Sequence, residues 1–489
     1  MRIIIPLICT ALILVALAPW AGASTIKVSS DLQVAISSAS PGDTLLVGPG
    51  SYDPVVVDKC LNLVGDGATV TANDSGACIS ITADDVNITG FTVKYGLYGI
   101  HLDHVKNCTI TKNYATRCNQ DGFAVLFSDG NLIEDNIATY NGLGGEGWYG
   151  IYLSNSNDNT IRNNVACYNG AYGLNMFPSC NNNTVSGNTL EGNMYGLYMF
   201  TGCSGNVIKF NKMANNTNSG VDMRFNCHGN FLLNNTVANN TVAGITLMDS
   251  PKNTLRGNKV SGNNRYGLQI QGSSDSNLVA GNSIFDSQTG IFVESGKNRF
   301  YGNRLIENVV QADDRGKNTW NAPYPAGGNL WSDYQGQDRL SGPGQDEPGS
   351  DCIGDIPYKV GDASSDKYPL MGGQVKLISI LDKRISPSKA RVGDNVAIKV
   401  KVESKYGLSQ VSVKVVGSKG TEAGGYVRMV PSGGYYSGSL ITALLDPGTY
   451  DLIITLVDAR GHEGKEDLGQ LDLMPRGSYD FDASKSNLG

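Results

Sequence analysis

The sequence predicts an all-β protein: a right-handed parallel β-helix of about ten coils of 23–24 residues, followed by a β-sandwich. Three observations predict it. Segments opening at Asn131, Asn159, Asn183, Asn206, Asn230, Asn253 and Asn277 share the pattern Asn-x-[Ile/Val/Leu]-x-x-Asn, and Asn298 closes the series. Glycines at 99, 122, 150, 173, 196, 220, 244, 267 and 290 recur every 23 or 24 residues, except for one interval of 28 that holds the extra Gly142–Glu146. Within each repeat, apolar residues alternate in three short runs, the period of strands and not of helices. A fixed short period means one supersecondary unit stacked many times.

Asparagine suits the corners of such a coil. It tolerates left-handed backbone, bonds its own backbone locally, and forms amide ladders when coils stack about 4.8 Å apart. After each repeat glycine the inward positions are Ile151 and Leu153, Leu174 and Met176, Leu197 and Met199, Val221 and Met223, Leu268 and Ile270. The Met column therefore reads as core.

In chain order, residues 1–23 read as a signal peptide, with Arg2, the apolar run 3–18 and the small residues Ala21-Gly-Ala23. No later run is long and apolar enough for a membrane span, so a secreted or surface protein is expected, periplasmic in a two-membrane cell. Losing Arg2 takes the net charge from −7 to −8, which argues against nucleic acid as a partner. Nine cysteines remain, and export permits disulfides. Cys180, Cys203 and Cys227 share one repeat position, seven residues after the Gly, and are candidates for bridges or for a buried thiol stack. Cys108 and Cys118 stand where Asn is usual and form the next candidate pair.

The β-helix is expected over 24–311, with Asp31–Ser40 as an amphipathic helix covering its open end. Pro41-Gly-Asp-Thr44 and Pro49-Gly-Ser-Tyr52 follow. This opening resembles the start of the pectin-lyase-like superfamily, and the repeats resemble those of NosD-like proteins. In the irregular acidic stretch 312–373, Gly328–Tyr334, Gly354–Tyr358 and Asp366–Leu370 resemble the closing segment of that family. Its acids Asp346, Asp351 and Asp355 are candidate calcium ligands, since hard cations take several oxygens from one loop; no cofactor is required. Residues 374–474 alternate in seven short strands and resemble an immunoglobulin-like module without its disulfide. Residues 475–489 form a polar tail.

The candidate site lies on the strand that follows each Gly. Its outward residues and those just before the Gly form a stripe of rings and amides: Tyr149, Tyr152, Tyr172, Asn175, Tyr195, Tyr198, Asp222, Tyr266 and Gln269. Such a stripe suits an extended sugar chain, held by ring stacking and hydrogen bonds. Tyrosine also stabilises strand surfaces for its own sake. The leading reading is a secreted, cell-surface structural or glycan-binding protein that self-associates into a layer or sheath. A first rival is a carbohydrate-active enzyme, a polysaccharide lyase or epimerase, using His101, Asp103 and Asp121. The stretch Tyr98-Gly-Ile-His101-Leu-Asp103-His104 resembles, in altered order and without Pro, the Tyr-Gly-Phe-Asp-Pro-His of mannuronan epimerases. A second rival, implied by the NosD resemblance, is a copper-handling accessory protein, although the histidines 101, 104, 228 and 462 are scattered. Seven glycosylation sequons begin at Asn73, Asn87, Asn107, Asn182, Asn215, Asn234 and Asn239.

Overall fold

A computed structural model describes residues 23–142, 148–362, 364–372, 378–404, 407–417, 422–458 and 463–475. The expected signal peptide up to residue 22, the insertion at 143–147, His462 and the tail from 476 lie outside the described residues. The chain forms a right-handed parallel β-solenoid of about thirteen turns, followed by antiparallel sheets. Each coil contributes one strand to each of three parallel sheets. In coil order, the first and second sheets have thirteen strands and the third has twelve. The expected count of ten coils was short. The early coils, from Thr25 to Lys94, use Val, Ile and Leu strands without the Asn signature, and the last strand of the second sheet is Leu330–Trp331.

The chain divides into two compact units, Met1–Asn206 and Val207–Gly489. In the first, Leu32–Ser38 is an α-helix whose N-cap Asp31 accepts the Val34 N–H at 2.9 Å. Leu32 and Ile36 are buried. Gln33 binds the strand Val55–Val57 through both ends of its amide, donating to Val56 O at 3.2 Å and accepting the Val56 N–H at 2.7 Å. That strand is the edge of the third sheet, so the helix satisfies backbone groups that an open solenoid leaves bare.

Above the cap, side chains pointing into the coil fill a dry core. Met176 and Met199 are fully buried, as the alternation requires. The corners are held by ladders of buried asparagine. Asn131, Asn159, Asn183 and Asn206 form one, Asn113, Asn136, Asn164 and Asn188 a second, and Asn141, Asn169 and Asn193 a third. In each rung, one Oδ1 accepts both the backbone N–H and the Nδ2 of the Asn one coil earlier, and Nδ2 also caps a carbonyl in the core. Buried backbone groups at a corner have no sheet partner and must find one. The left-handed residue is not the ladder Asn itself but the one just before it, such as Asp158 (φ 57°), Asn163 (φ 56°) or Tyr168 (φ 57°).

The cysteines follow the same corners. No disulfide is formed among the described residues. Cys108 takes the ladder position entering the first sheet, where its N–H donates to Asn131 Oδ1; Cys118 takes the one entering the third, donating to Asn141 Oδ1. They therefore sit at different corners, and the expected pair is corrected. The Cys118 thiol bonds Cys78 instead. Burial pushes the Cys108 thiol up to about 11. Cys180 bonds Cys203 thiol to thiol on the next coil, and that contact together with burial pushes the Cys180 pKa upward.

The second unit has ladders of its own, Asn211, Asn235, Asn258, Asn282, Asn303 and Asn329, and Asn230, Asn253, Asn277, Asn298 and Asn318. Met223 is fully buried, and the Cys227 thiol donates to Arg224 O at 3.2 Å. The solenoid's final turn is closed by two tryptophans gripped by acids. Trp320 stacks on Phe300 with centroids 4.2 Å apart and donates to Asp314 at 2.8 Å; Trp331 stacks on Tyr358 at 4.1 Å and donates to Asp366 at 2.9 Å. Beyond it, a four-stranded sheet runs in the order Ile378–Ser386, Asn395–Ser404, Tyr435–Ile441, Val430–Ser432. A five-stranded sheet runs Lys389–Arg391, Glu463–Met474, Gly448–Asp458, Leu408–Gly417, Glu422–Arg428. One core joins them, with Val396, Ile398 and Val400 from the first and Val413, Leu452 and Ile454 from the second.

Candidate functional site

In the first unit the strands Tyr98–Asp103, Asp121–Leu126, Tyr149–Ser154, Tyr172–Met176 and Tyr195–Phe200 stack in register on the third sheet. The repeat glycine fixes that register, because a Cβ there would collide with the next coil; one on Gly173 would lie 2.8 Å from Gly196 O. With every second side chain turned inward, two columns face out. One aligns Tyr149, Tyr172 and Tyr195; the other runs His101, Ala124, Tyr152, Asn175, Tyr198.

The rings form a continuous ladder. Tyr149 stacks on Tyr172 with centroids 5.1 Å apart, Tyr172 on Tyr198 at 4.6 Å with an interplanar angle of 8°, and Tyr198 on Phe200 at 5.7 Å. Tyr152 leans on Tyr149 at 5.0 Å, and Tyr195 on Tyr172 at 5.3 Å. The stripe is less open than alternation suggests. Tyr195 and Asn175 are buried, while Tyr149, Tyr152, Tyr172 and Tyr198 are half-buried with one edge in solvent. Wide neighbouring rings roof the narrower Asn175. Its side chain bonds Tyr149, yet its Oδ1 has no partner, and on the same column His101 Nε2 is likewise buried and unpartnered. Both atoms are closed off from solvent by the side chains around them, so they are unmet groups of the interior and the exposed part of the site is the tyrosine rings.

The proposed catalytic trio does not converge. Asp121 aligns with Tyr98 and Asp103 with Leu126, so the two acids stand at opposite ends of neighbouring strands. Asp121 is 1% exposed; its Oδ1 accepts the Tyr149 N–H at 3.1 Å, and burial lifts its carboxyl pKa well above the usual range. Asp103 instead holds His104 Nδ1 at 2.6 Å, and His104 stacks on Phe127. Burial lowers the His101 pKa against the pull of Asp103, which favours the neutral ring. Hydrolysis of a glycosidic bond uses two carboxylates that flank it, and Asp103 and Asp121 do not face a common point.

In the second unit the predicted residues divide. Asp222 is buried and gripped by Arg224, whose Nε and a terminal nitrogen donate to its two oxygens at 2.8 and 2.9 Å. Its carboxylate is thus engaged by the partly exposed Arg224. Tyr266 is half-buried, with Arg265 4.9 Å above its ring and Phe292 at 5.1 Å. Gln269 donates to Gln271, which donates to Glu294 at 3.0 Å.

The acids proposed for calcium do not meet either. Asp355 accepts the N–H groups of Arg339 and Leu340, Asp351 accepts from Gln345 and Ile353, and Asp346 is exposed beside Gly344. Each closes its own turn. Among the described residues no group of three or more His, Cys, Asp or Glu is placed to hold a metal ion. The thiol pairs Cys78–Cys118 and Cys180–Cys203 are buried contacts that no third His, Cys, Asp or Glu joins among the described residues.

Sequence reasoning missed a second aromatic column, at the corner between the second and third sheets. There Tyr95, Arg117, Tyr140 and Tyr168 all have positive φ and all are exposed. The signal was present: a bulky residue directly before Cys118, Asn141 or Asn169, where the second unit has Asn215, Asn239 and Gly262.

Fold and site together define a parallel β-solenoid with an aromatic outer face. The chain belongs to the NosD family, described as periplasmic copper-binding protein, whose model matches residues 36–222 and 199–336. A cell surface glycoprotein of Methanothermus fervidus is 33% identical over 118 residues, 22% of this chain, and the match spans 20% of that relative's length. Among solved structures, the A-module of a mannuronan C-5 epimerase from Azotobacter vinelandii aligns with 60% of this chain and 93% of its own, at 16% identity and a TM-score of 0.45. An alginate lyase from a Paenibacillus species aligns with 54% and 95%, at 17% identity and a TM-score of 0.39. No helix among the described residues is long and apolar enough to cross a membrane.

Proposed function

We propose that this protein is an exported β-solenoid of the cell surface that holds an extended polysaccharide along the tyrosine ladder of its third sheet. The observation that carries the reading is the stack Tyr149, Tyr172, Tyr198, half-exposed on three successive coils. The half-exposed tyrosines offer aromatic surface to the C–H faces of pyranoses and phenolic hydroxyls to the sugar hydroxyls. Similarity to a cell surface glycoprotein favours a surface location. The sheets from 378 to 474 serve as an immunoglobulin-like spacer. Lettered in chain order, their strands run A-B-E-D and A′-G-F-C-C′, and Tyr450 OH donates to Asp446 O at 2.6 Å, as in a tyrosine corner.

Affinity electrophoresis of the full chain through gels cast with a panel of polysaccharides tests this. Retardation by at least one of them, abolished in the Tyr172→Ala, Tyr198→Ala double variant, is expected. Mobility unchanged in every gel rejects the reading.

A further inference from the structure

The corner column has no structural need to be aromatic. Tyr95, Arg117, Tyr140 and Tyr168 adopt φ between 55° and 59°, a region that disfavours bulky side chains and that Asn or Gly occupies with less strain. In the second unit the equivalent repeat position is Asn215, Asn239, Gly262, Asp286 and Glu307, with no aromatic among them. Bulky residues stand at positive φ at other corners too, Phe127, Phe210 and Phe225 among them, and this column differs in setting three tyrosines and an arginine on successive coils.

Tyr140 and Tyr168 stack at 5.7 Å, 48% and 54% exposed, and Tyr168 lies over Gly192, where any Cβ would collide with its ring. Arg117 donates to Tyr95 OH at 3.2 Å, and Lys94 stands 5.7 Å over the Tyr95 ring. No carboxylate is among the groups that perturb Arg117. Glu191, the acid on this side, sits on the coil beyond Tyr168, at the end of the column. The result is an exposed strip of tyrosine edges with a guanidinium whose contacts are neutral hydroxyls.

We propose that this corner is a second glycan-binding strip, distinct from the ladder on the third sheet, and that it takes acidic polysaccharide. The tyrosines stack on sugar rings, and Arg117 pairs with a carboxylate or sulfate, both of which match its planar fork. Lys94 adds charge at one end.

The test is titration calorimetry of the full chain with polygalacturonate, dextran sulfate and a neutral glucan of similar length. At low salt the protein should bind at least one of the two acidic chains about tenfold or more tighter than the neutral one. Arg117→Gln should remove that preference. Tyr140→Asn with Tyr168→Asn should weaken acidic binding about tenfold without lowering the melting temperature, because Asn relieves the left-handed strain. The two acidic arms distinguish carboxylate from sulfate. Equal affinity for acidic and neutral chains, or acidic binding unchanged in both variants, overturns the proposal. Acidic binding that survives Tyr172→Ala with Tyr198→Ala supports the corner strip, and acidic binding lost in that variant assigns the acidic chain to the ladder and overturns the proposal.

Discussion

Asn159 donates its Nδ2 to Asn183 Oδ1 at 3.1 Å, and the same oxygen accepts the Asn159 backbone N–H at 2.8 Å. One side-chain atom thus satisfies two buried donors on the coil below, while Asn183 Nδ2 caps Ser156 O at 3.0 Å. Asn183→Ala strands all three groups in the interior. At about 1–3 kcal/mol for each buried group left unmet, softened by local relaxation, we expect a loss of roughly 3–5 kcal/mol. Urea denaturation of the variant beside the native chain measures it; a loss under about 1 kcal/mol would mean that water enters the corner freely.

Gln33 is the second place to probe. Its amide exchanges two hydrogen bonds with Val56 on the open edge strand. Gln33→Ala should destabilise the cap by roughly 1–2 kcal/mol and expose the edge of the third sheet to other chains. Faster amide exchange at Val56, with concentration-dependent association in light scattering, is the expected outcome. Protection at Val56 equal to that of the native chain contradicts it.

Asp121 sets a pH dependence. Burial raises its folded pKa above the unfolded value of about 3.9. The folded state therefore favours the protonated carboxyl. The group's contribution is fully present below about pH 4 and is lost as pH rises through the folded pKa. Asp121→Asn keeps an oxygen for the Tyr149 N–H and removes the buried charge. Its melting temperature should exceed that of the native chain at neutral pH, and the gap should close on acidification. A variant less stable at neutral pH would show that the charge is compensated by groups other than that N–H.

Much of this was readable from residues alone. The glycine spacing placed the strands, alternation placed Met176, Met199 and Met223 inside, and the Asp31 start located the cap. What alternation cannot report is how far an outward residue is covered. Asn175 is buried by the wide tyrosines around it, and Asp222 by its own ion pair with Arg224. Nor does a repeat position name a corner: Cys108 and Cys118 both replace Asn, but at different turns of one coil, and Cys118 finds Cys78 instead. The early coils escaped counting because their strands lack the ladder amides that mark the later ones. The exposed corner tyrosines were passed over because a left-handed corner was expected to be Asn or Gly.

The central claim is that the ladder is a binding face. Hydroxyl-radical footprinting with saturating polysaccharide, chosen as the chain that most retards the protein, tests it at the residues themselves. The account predicts reduced oxidation of Tyr149, Tyr152, Tyr172 and Tyr198, with Tyr435 and Tyr436 in the C-terminal sheets unchanged. Oxidation of those four ladder rings that is the same with and without the polysaccharide would contradict it.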